Sequence, residues 1–274
     1  MLNYTPAIAG WFGYPLELDD RLRLIKDAGF KAVLLWWAVQ SAYEPPIPRK
    51  VEAAARHGLA VENAHLHYKH VNSLWEEGEE GEHYCNELCG LIASAATYGV
   101  PTLVVHPTRT AEPPAFSDLG LSRFMRLVDI AERVNVNLAF ENLKAVPRLY
   151  ELMGLVRSPR VGVCFDSGHN LCHCPDRRVC ADFADRIMAV HLHDNHGKND
   201  EHLIPFDGCE DWRRVREELI ASSYKGAWSL EVEHPLTDQF GKSLPEDDPY
   251  SGYSAEEYLA RAFAAQQKLV NGSF

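Results

Sequence analysis

The 274-residue sequence contains no long apolar run and no recognisable export signal. No stretch approaches the ~18 consecutive apolar residues that a helix needs to cross a bilayer. The N-terminal segment MLNYTPAIAGWF lacks the basic and apolar regions of a secretory signal. Hydrophobic residues make up 46% and charged residues 24%, which is the balance of an ordinary globular protein. We therefore expect a cytoplasmic protein with no membrane partner.

Positive charge is also scarce. Lys and Arg total 27 against 39 Asp and Glu, which gives a formal net charge of −12. A nucleic-acid partner bound along its phosphate backbone therefore gets no support from composition. Bound metal ions supply positive charge that a residue count misses, so the deficit disfavours such a partner without excluding it.

Cysteine numbers seven, and an odd count in a large chain fits reduced thiols better than a disulfide framework. Cys172, Cys174 and Cys180 lie around His173 and carry the atoms of a second metal site. Their spacing is not that of a structural zinc knuckle, so we expect free thiols in the loop after the sixth strand. Cys164 lies inside a predicted strand and is expected to be a small core residue.

A glycine-rich phosphate-binding turn is absent after the first predicted strand, which disfavours a doubly wound open sheet. The sequence has instead eight short apolar runs separated by longer amphipathic segments. The predicted strands are Ala7–Gly10, Phe30–Trp37, Leu59–Ala64, Thr102–His106, Val136–Phe140, Arg160–Phe165, Ile187–Leu192 and Ala227–Val232. Eight such units in about 250 residues predict one α/β domain over 1–274, a single (β/α)₈ TIM barrel.

The amphipathic segments predict the helices that cover the barrel. They are Glu17–Ala28, Ile47–His57, Glu82–Tyr98, Ser117–Val134, Trp212–Ser222 and Ala255–Val270, with shorter ones at Pro147–Met153 and Arg178–Asp185. Gly29, Gly58 and Gly99 follow three of them at positions where a left-handed residue ends a helix.

Acidic and histidine residues follow the apolar runs at the carboxyl ends of six consecutive predicted strands. In a barrel these ends share one face, where catalytic groups gather. Imidazole nitrogen and carboxylate oxygen are ligands of Zn²⁺, Mn²⁺ and related ions, and nine such residues exceed what one ion can use. The predicted ligands are His65, His106, Glu141, Asp166, His169, His191, Asp200, His202 and Glu231. His193, two residues beyond His191, is expected to point to the same side and to lie behind the ligands.

Seven short motifs carry these residues in order between Val61 and Glu231. They are His65-x-x-Tyr68, His106-Pro107, Glu141-Asn142, the FDSGH segment with Asp166 and His169, the HLHD segment from His191, the triplet Asp200–His202, and the Leu-Glu pair ending at Glu231. In this order and spacing they resemble the xylose isomerase-like barrel superfamily. That superfamily contains sugar isomerases and epimerases together with the endonuclease IV type of nuclease, which acts at abasic DNA sites.

The resemblance implies two overlapping ligand sets. In the nuclease, the positions that match all nine residues hold three zinc ions. In ketose epimerases, the positions of Glu141, Asp166, His191 and Glu231 hold one Mn²⁺ or similar ion, and the position of His169 contacts substrate. The sequence retains both sets. It is therefore similar to the sugar isomerases and epimerases, with an extended ligand set that implies one to three divalent ions.

Two departures from the nuclease pattern favour the isomerase and epimerase branch. Leu143–Val146 stands where the nuclease continues with small residues and glycine, and Asn170–Cys174 replaces a stretch rich in Ala and Gly. The nuclease activity is the alternative, in which a hydroxide on the metal cluster attacks phosphorus. A barrel that only binds a ligand is a third possibility, against which the intact general bases argue.

Isomerisation or epimerisation next to a carbonyl requires removal of a proton from carbon, and a divalent ion stabilises the resulting enediolate. Two bases are needed. Glu141 and Glu231 belong to different strands, so one is expected to take the proton and the other to return it from the opposite face. His169 is expected to hydrogen-bond a substrate oxygen.

Four aromatic residues are candidates for carbohydrate recognition. Trp11, Phe12, Trp36 and Trp37 follow the first two strands, where aromatic rings either stack on a sugar or pack between barrel and helices. Trp36 and Trp37 point to opposite sides of a strand, so only one of them is expected to face the pocket.

Two cationic residues and two loops are further candidates for contact with substrate or with another subunit. Arg109 and Lys144 closely follow ligand positions and are candidates for a phosphate or carboxylate, which leaves free and phosphorylated sugars both open. The loop Asn195–Asp211 is expected to ligate metal and to cover the pocket. The segment 235–254 is expected to be a lid, an interface or an excursion, and a homo-oligomer is possible.

Overall fold

The eight apolar segments form short parallel strands, and the first strand pairs with both the second and the eighth, which closes the sheet into a barrel. The strands are β1 Pro6–Ala9, β2 Ala32–Trp36, β3 Ala60–His65, β4 Thr102–Val105, β5 Asn137–Glu141, β6 Val161–Asp166, β7 Ile187–Leu192 and β8 Trp228–Leu230. The computed structural model describes residues 4–38, 45–234 and 249–274. The predicted (β/α)₈ barrel is confirmed, and the open sheet is excluded.

Helices alternate with the strands and cover the barrel. They are α1 Leu18–Ala28, α2 Ile47–Arg56, α3 Glu79–Thr97, α4 Asp118–Val134, α5 Val146–Leu155, α6 Ser167–His173, α7 Val179–Asp182, α8 Trp212–Ala221 and α9 Ala255–Asn271, with 3₁₀ turns at Val71–Trp75 and Ala184–Arg186. Glycine is required at the end of α1 for two reasons. Gly29 has a φ of 112°, which residues with a side chain avoid, and a Cβ at this position would lie 2.8 Å from the ring of Phe263. Among the described helices, none combines the length and apolarity required to span a bilayer.

Helix α6 was not expected from the sequence. It begins directly after β6 because the Asp166 side chain accepts a hydrogen bond from the His169 backbone N–H at 2.6 Å, which caps the helix. Cys172 and His173 therefore lie on a helix rather than in the predicted loop, and His169 is placed within one turn of Asp166.

Small side chains inside the barrel lie next to the ligands at the carboxyl ends of the strands. Val104, Ala139, Cys164 and Ala189 are fully buried and contact one another inside the barrel. Each lies two residues before a predicted ligand in its own chain segment, and side chains two apart on a strand point to the same face. The four predicted ligands His106, Glu141, Asp166 and His191 consequently project from one layer of small side chains. Cys164 is confirmed as a core residue.

Part of the predicted lid or interface, 235–254, lies outside the described residues, which resume at Pro249. In the described part of that segment, Tyr250 is fully buried. Ser254 caps α9 through a reciprocal pair of hydrogen bonds with Glu257.

Candidate metal centre

Glu141, at the end of β5, lies at the centre of the converging side chains. Its Oε2 atom is 3.2 Å from His65 Nε2 and 2.8 Å from His106 Nε2, and its Oε1 atom is 3.1 Å from His191 Nδ1. The two imidazoles of His65 and His106 also approach each other, with 3.1 Å between their Nε2 atoms. Three imidazole nitrogens therefore surround one buried carboxylate, although they come from β3, the end of β4 and β7.

Glu231, just beyond β8, completes a second group with Glu141, Asp166 and His191. The Oε2 atom of Glu231 lies 3.2 Å from His191 Nδ1, and one ligand atom from each of the four residues lies within 4.8 Å of the others. Burial opposes ionisation of the Glu231 carboxyl, but the charge and hydrogen bond of His191 lower its pKa to about 2. Burial likewise opposes ionisation of Glu141, whose pKa is held well below its ordinary value by hydrogen bonds from the surrounding imidazoles. The group therefore concentrates buried negative charge.

The loop between β7 and α8 brings a third group to the same mouth of the barrel. Asp200 Oδ2 lies 3.0 Å from His169 Nε2 and 3.4 Å from His202 Nε2. Burial acts against protonation of His169, but the Asp166 and Asp200 charges raise its pKa to about 10. Burial also acts against protonation of His202, but the charge and hydrogen bond of Asp200 raise its pKa well above the ordinary value. Protons and metal ions are both cations, so a site that raises the pKa of its imidazoles in this way is one that favours bound positive charge.

His193 was expected behind the ligands, and it belongs to this third group as closely as they do. It is fully buried, and its Nε2 atom lies 3.0 Å from Asp166 Oδ1 and 3.7 Å from Asp200 Oδ1. Its ring stacks on that of His202 with centroids 4.2 Å apart. One signal in the sequence, the spacing of two residues from His191, was available to find it.

Two of the imidazoles have a fixed orientation, and both turn Nε2 toward the site. His65 Nδ1–H donates to the Leu66 carbonyl at 2.7 Å, and His202 Nδ1–H donates to the Glu231 carbonyl at 2.7 Å. In the neutral form of either ring, which binding of a metal requires, Nε2 is the atom with the free lone pair. Burial lowers the pKa of His106 to about 4, which also leaves that imidazole neutral. Neutral rings with inward lone pairs are the form that binds divalent metal.

The residues present therefore fit a divalent cation. Nitrogen and oxygen donors lie within 4.8 Å of one another in groups of three and four. The fully buried Nδ1 atom of His169 has no hydrogen-bond partner in the described part of the chain, although it lies 3.5 Å from Asp166 Oδ1 and 3.7 Å from Glu141 Oε1. An isolated polar atom of this kind is costly unless it has a ligand.

A cavity of about 260 Å³ opens above these groups. All five predicted substrate-binding residues line it, namely Trp11, Trp36, Arg109, Lys144 and His169. Trp37 is instead buried, and its indole N–H donates to Leu91 O at 3.0 Å and Ser94 Oγ at 2.9 Å. Phe12 is also buried and stacks on Tyr258, so it does not join the aromatic wall.

Tyr68 is a further wall residue whose side chain had no role assigned from sequence. Its ring stacks on His106 with centroids 4.1 Å apart and an interplanar angle of 10°. Burial raises the pKa of the Tyr68 hydroxyl to about 12, so it stays a neutral donor. Trp11 also lines the cavity, and its Nε1–H donates to Glu233 Oε1 at 2.6 Å, which orients the indole.

The cysteines near α6 do not form a second metal site in the part of the chain that the structure describes. No group of three ligands there includes Cys172, Cys174 or Cys180. Cys180 is fully buried in the main hydrophobic core, and Cys174 belongs to the same core. All three are free thiols, as expected.

The sequence is similar to a known protein family and to two curated proteins. A sequence profile of the family described as xylose isomerase-like TIM barrel matches residues 22–251. The uncharacterized protein y4fM of Sinorhizobium fredii is 34% identical over 155 residues, which are 50% of this chain and 49% of that protein. The chain spans about half the length of the curated relatives it matches.

Two solved structures have a similar fold over nearly the whole chain. A D-tagatose 3-epimerase-like protein has a TM-score of 0.73 at 19% identity, with 98% of this chain and 99% of that chain covered. D-Psicose 3-epimerase with D-tagatose from Clostridium cellulolyticum H10 has a TM-score of 0.76 at 12% identity, with 96% of this chain and 97% of that chain covered.

Proposed function

Because the matching family profile covers most of the sequence, the chain belongs to the xylose isomerase-like TIM barrel family, and we propose that it is a divalent-metal-dependent isomerase or epimerase of sugars or sugar phosphates. The observation that carries the proposal is the pair of carboxylates, Glu141 and Glu231, which lie 3.1 and 3.2 Å from His191 Nδ1 and line a cavity of about 260 Å³. The 3-epimerase names of the structural neighbours support the same class of reaction.

The proposed ligands are the nine residues predicted from the sequence, and Zn²⁺ and Mn²⁺ both suit their nitrogen and oxygen donors. His65, His106 and Glu141 make one candidate group, and Glu141, Asp166, His191 and Glu231 make another. Asp200 and His202 form a third candidate group with His193, and His169 forms another with Asp166 and His193, so one to three ions are proposed. A divalent cation bound at this mouth supplies positive charge that stabilises developing negative charge on substrate oxygens.

Glu141 and Glu231 are the proposed catalytic bases. Both are ionised in the resting site because their pKa values are lowered, so each is ready to accept a proton. One takes the proton from the carbon next to the carbonyl, the C–H electron pair becomes the C=C bond of an enediolate, and the π pair of the carbonyl moves onto its oxygen. The other takes the proton of the neighbouring hydroxyl. Epimerisation is completed when this second base returns its proton to the same carbon from the opposite face and the first returns its proton to oxygen; delivery to the former carbonyl carbon completes an isomerisation. Both carboxylates are then restored.

The walls of the cavity would bind and orient the sugar. Trp36 and Trp11 offer aromatic faces to the C–H side of a sugar ring or chain. His169, between Asp166 and Asp200, offers an N–H to a substrate oxygen. Arg109 and Lys144 line the same cavity and would receive a phosphate or carboxylate, which extends the proposed substrates to sugar phosphates.

The test is exchange of carbon-bound hydrogen with solvent. The protein, purified without chelator, is incubated in D₂O with ketoses and ketose phosphates, and deuterium incorporation and product formation are followed by NMR. Glu141→Gln and Glu231→Gln are expected to lower the exchange rate by about 10²–10⁴-fold, the usual loss for a missing acid or base. Glu52→Gln, exposed on α2, is the matched control. Full exchange by both cavity variants on a substrate that the wild type accepts would refute the assignment.

Phosphodiester hydrolysis at abasic DNA sites is a second candidate function. The third ligand group, with His169, Asp200 and His202, favours it, since these positions complete the ligand set of the nuclease that the sequence resembles. An oligonucleotide with one abasic site separates the two functions. Metal-dependent strand cleavage without sugar interconversion would replace the isomerase proposal with this one.

A further inference from the structure

Asp194, the second residue after β7, is a buried carboxylate without a cationic partner. Its side chain is fully buried. No salt bridge to it occurs within the described residues 4–38, 45–234 and 249–274. An ionised group in such a place is stable only if hydrogen-bond donors surround it. The donors that Asp194 uses therefore indicate what the carboxylate is for.

All four donors belong to the loop that follows Asp194 or to the start of the next helix. Oδ1 accepts from the backbone N–H groups of Asn195 at 2.9 Å and Glu210 at 3.0 Å. Oδ2 accepts from the backbone N–H of Phe206 at 3.0 Å and from Trp212 Nε1 at 2.7 Å. One carboxylate thus joins the beginning, the middle and the end of the loop Asn195–Asp211.

The backbone of the same residue adds a second connection. Asp194 N–H donates to Leu203 O at 2.8 Å, and Leu203 N–H donates to Asp194 O at 2.9 Å. The loop folds back so closely that a Cβ on Gly208 would lie 2.3 Å from Asp194 Oδ1. Asp200 and His202 are on the part of the loop between Asn195 and Leu203, so their positions depend on this closure.

The conformation of the loop is not the one its local sequence prefers. His202 has a φ of 51° and Phe206 has a φ of 79°, in the left-handed region that residues with side chains avoid. Such conformations persist only when the surrounding contacts determine them. Asp194 binds the N–H of one of these two residues, and its backbone pairs with the residue that follows the other.

We propose that Asp194 is a positioning residue that holds the loop so that Asp200 and His202 meet His169 and His193, and that it thereby creates a cation site whose occupancy can be lost separately from the Glu141-centred site. This inference rests on the proposed metal dependence. In addition, binding of one ion would depend on the loop Asn195–Asp211, whereas binding of the other would depend on the strands alone.

The test measures ions per chain and cation affinity rather than turnover. Elemental analysis of wild type and Asp194→Asn is combined with calorimetric titration of the chelated proteins with Zn²⁺ and with the visible spectrum of the Co²⁺ forms. The amide keeps the shape of Asp194, but its NH₂ group faces N–H donors and cannot accept from them. Wild type is expected to bind at least two ions, and Asp194→Asn is expected to lose one. The affinity at that site falls by about 10–100-fold, while the tighter site is unchanged.

A matched control is Asp211→Asn, which removes the same charge from the same loop. Asp211 caps α8 by accepting from Arg214 N–H at 3.1 Å, and Asn is an equally good cap, so the ion count is expected to stay at the wild-type value. If Asp194→Asn does not fold, Trp212→Phe keeps an aromatic ring but removes the Nε1–H donor to Asp194, and it is expected to weaken the same site by a smaller factor.

Three results would overturn the inference. The first is wild-type ion content and affinity in Asp194→Asn, and the second is loss of all ions together, which a general structural role would cause. The third is a wild-type protein with a single ion that Asp194→Asn retains. The third result leaves the proposed isomerase intact, because its bases and one ligand group do not involve the loop, whereas absence of hydrogen exchange with intact ion counts would refute the isomerase alone.

Discussion

The ligands that lie on strands and the ligands that lie on the loop after β7 are held in different ways. Glu141 and His191 are the last or nearly the last residues of β5 and β7, both are almost completely buried, and small side chains two residues before them fill the barrel. Asp200 lies on a loop, and its side chain is 30% exposed. The strand ligands therefore take their positions from the closed sheet, whereas the loop ligands take theirs from a few hydrogen bonds.

One mouth of the barrel therefore combines a rigid ligand group on strands with an adjustable ligand group on a loop. Catalytic geometry benefits from rigid support, because side chains must be held close to a productive arrangement. Loops change sequence and conformation at lower cost than strands do. We therefore place the proposed proton transfers at the strand-borne group and treat the loop-borne group as the part that tunes it.

The largest expected effect is from Glu141→Gln. The substitution removes the charge that His65, His106 and His191 all face, and the amide offers one acceptor atom instead of two. Cation affinity is expected to fall by more than the about 100-fold that loss of an outer hydrogen-bond partner costs. Titration with Zn²⁺ measures it. Retained affinity at every site would show that the strand-borne group is not organised around Glu141.

A paired substitution compares the two regions directly. Asp166→Asn, at the end of β6, is expected to lower turnover by more than about a hundredfold, because Asp166 belongs to the same ligand group as Glu141, His191 and Glu231, and the amide removes its charge. Asp200→Asn, on the loop, makes the same chemical change and is expected to lower turnover by less than about tenfold. Steady-state kinetics under saturating Zn²⁺ or Mn²⁺ measures both. Equal losses would remove the distinction between the rigid and the adjustable group.

Removal of metal is expected to destabilise the folded chain. Buried carboxylates such as Glu141 and Asp166 then lose the cation that offsets their charge. At a free ion concentration of about 100 times the dissociation constant, binding contributes about 2.7 kcal/mol to the free energy of unfolding. Thermal unfolding before and after treatment with a chelator measures the change, and readdition of Zn²⁺ or Mn²⁺ is the control. An unchanged Tm would mean that the folded state does not bind ions preferentially.

The smallest expected effect is at the cavity wall. Trp36→Leu keeps an apolar side chain but removes the aromatic face, which is worth about 1 kcal/mol for stacking, or roughly a fivefold increase in KM. The value of kcat is expected to stay near that of the wild type, since Trp36 is not among the proposed bases. A large decrease in kcat at unchanged KM would instead place Trp36 next to the reacting atoms.

The fold and the converging ligands could be predicted because both depend on short-range patterns. Buried parallel strands read as continuous apolar runs, and their carboxyl ends meet at one face by topology alone. His65 and His191 each close such a run, so their placement required no knowledge of distant contacts. The same regularity explains why one of Trp36 and Trp37 had to point away from the cavity.

Other features depend on contacts between segments that no local pattern reveals. The burial of His193 results from the loop folding back over it, and the left-handed backbone of His202 is determined by that closure. Helix α6 begins where it does because the Asp166 side chain caps it, although the same side chain also reads as a metal ligand. Residues with two roles are difficult to interpret from sequence, because each role alone accounts for the residue type.

The orienting partners of His65 and His202 are main-chain carbonyl oxygens, those of Leu66 and Glu231. Substitution of the Leu66 or Glu231 side chain leaves the carbonyl group of that residue in place, so a point mutation does not remove either acceptor. The orientation of both rings is therefore insensitive to the side chains at positions 66 and 231. Residues at the rim of the cavity can therefore be substituted while Nε2 of both rings stays directed into the site.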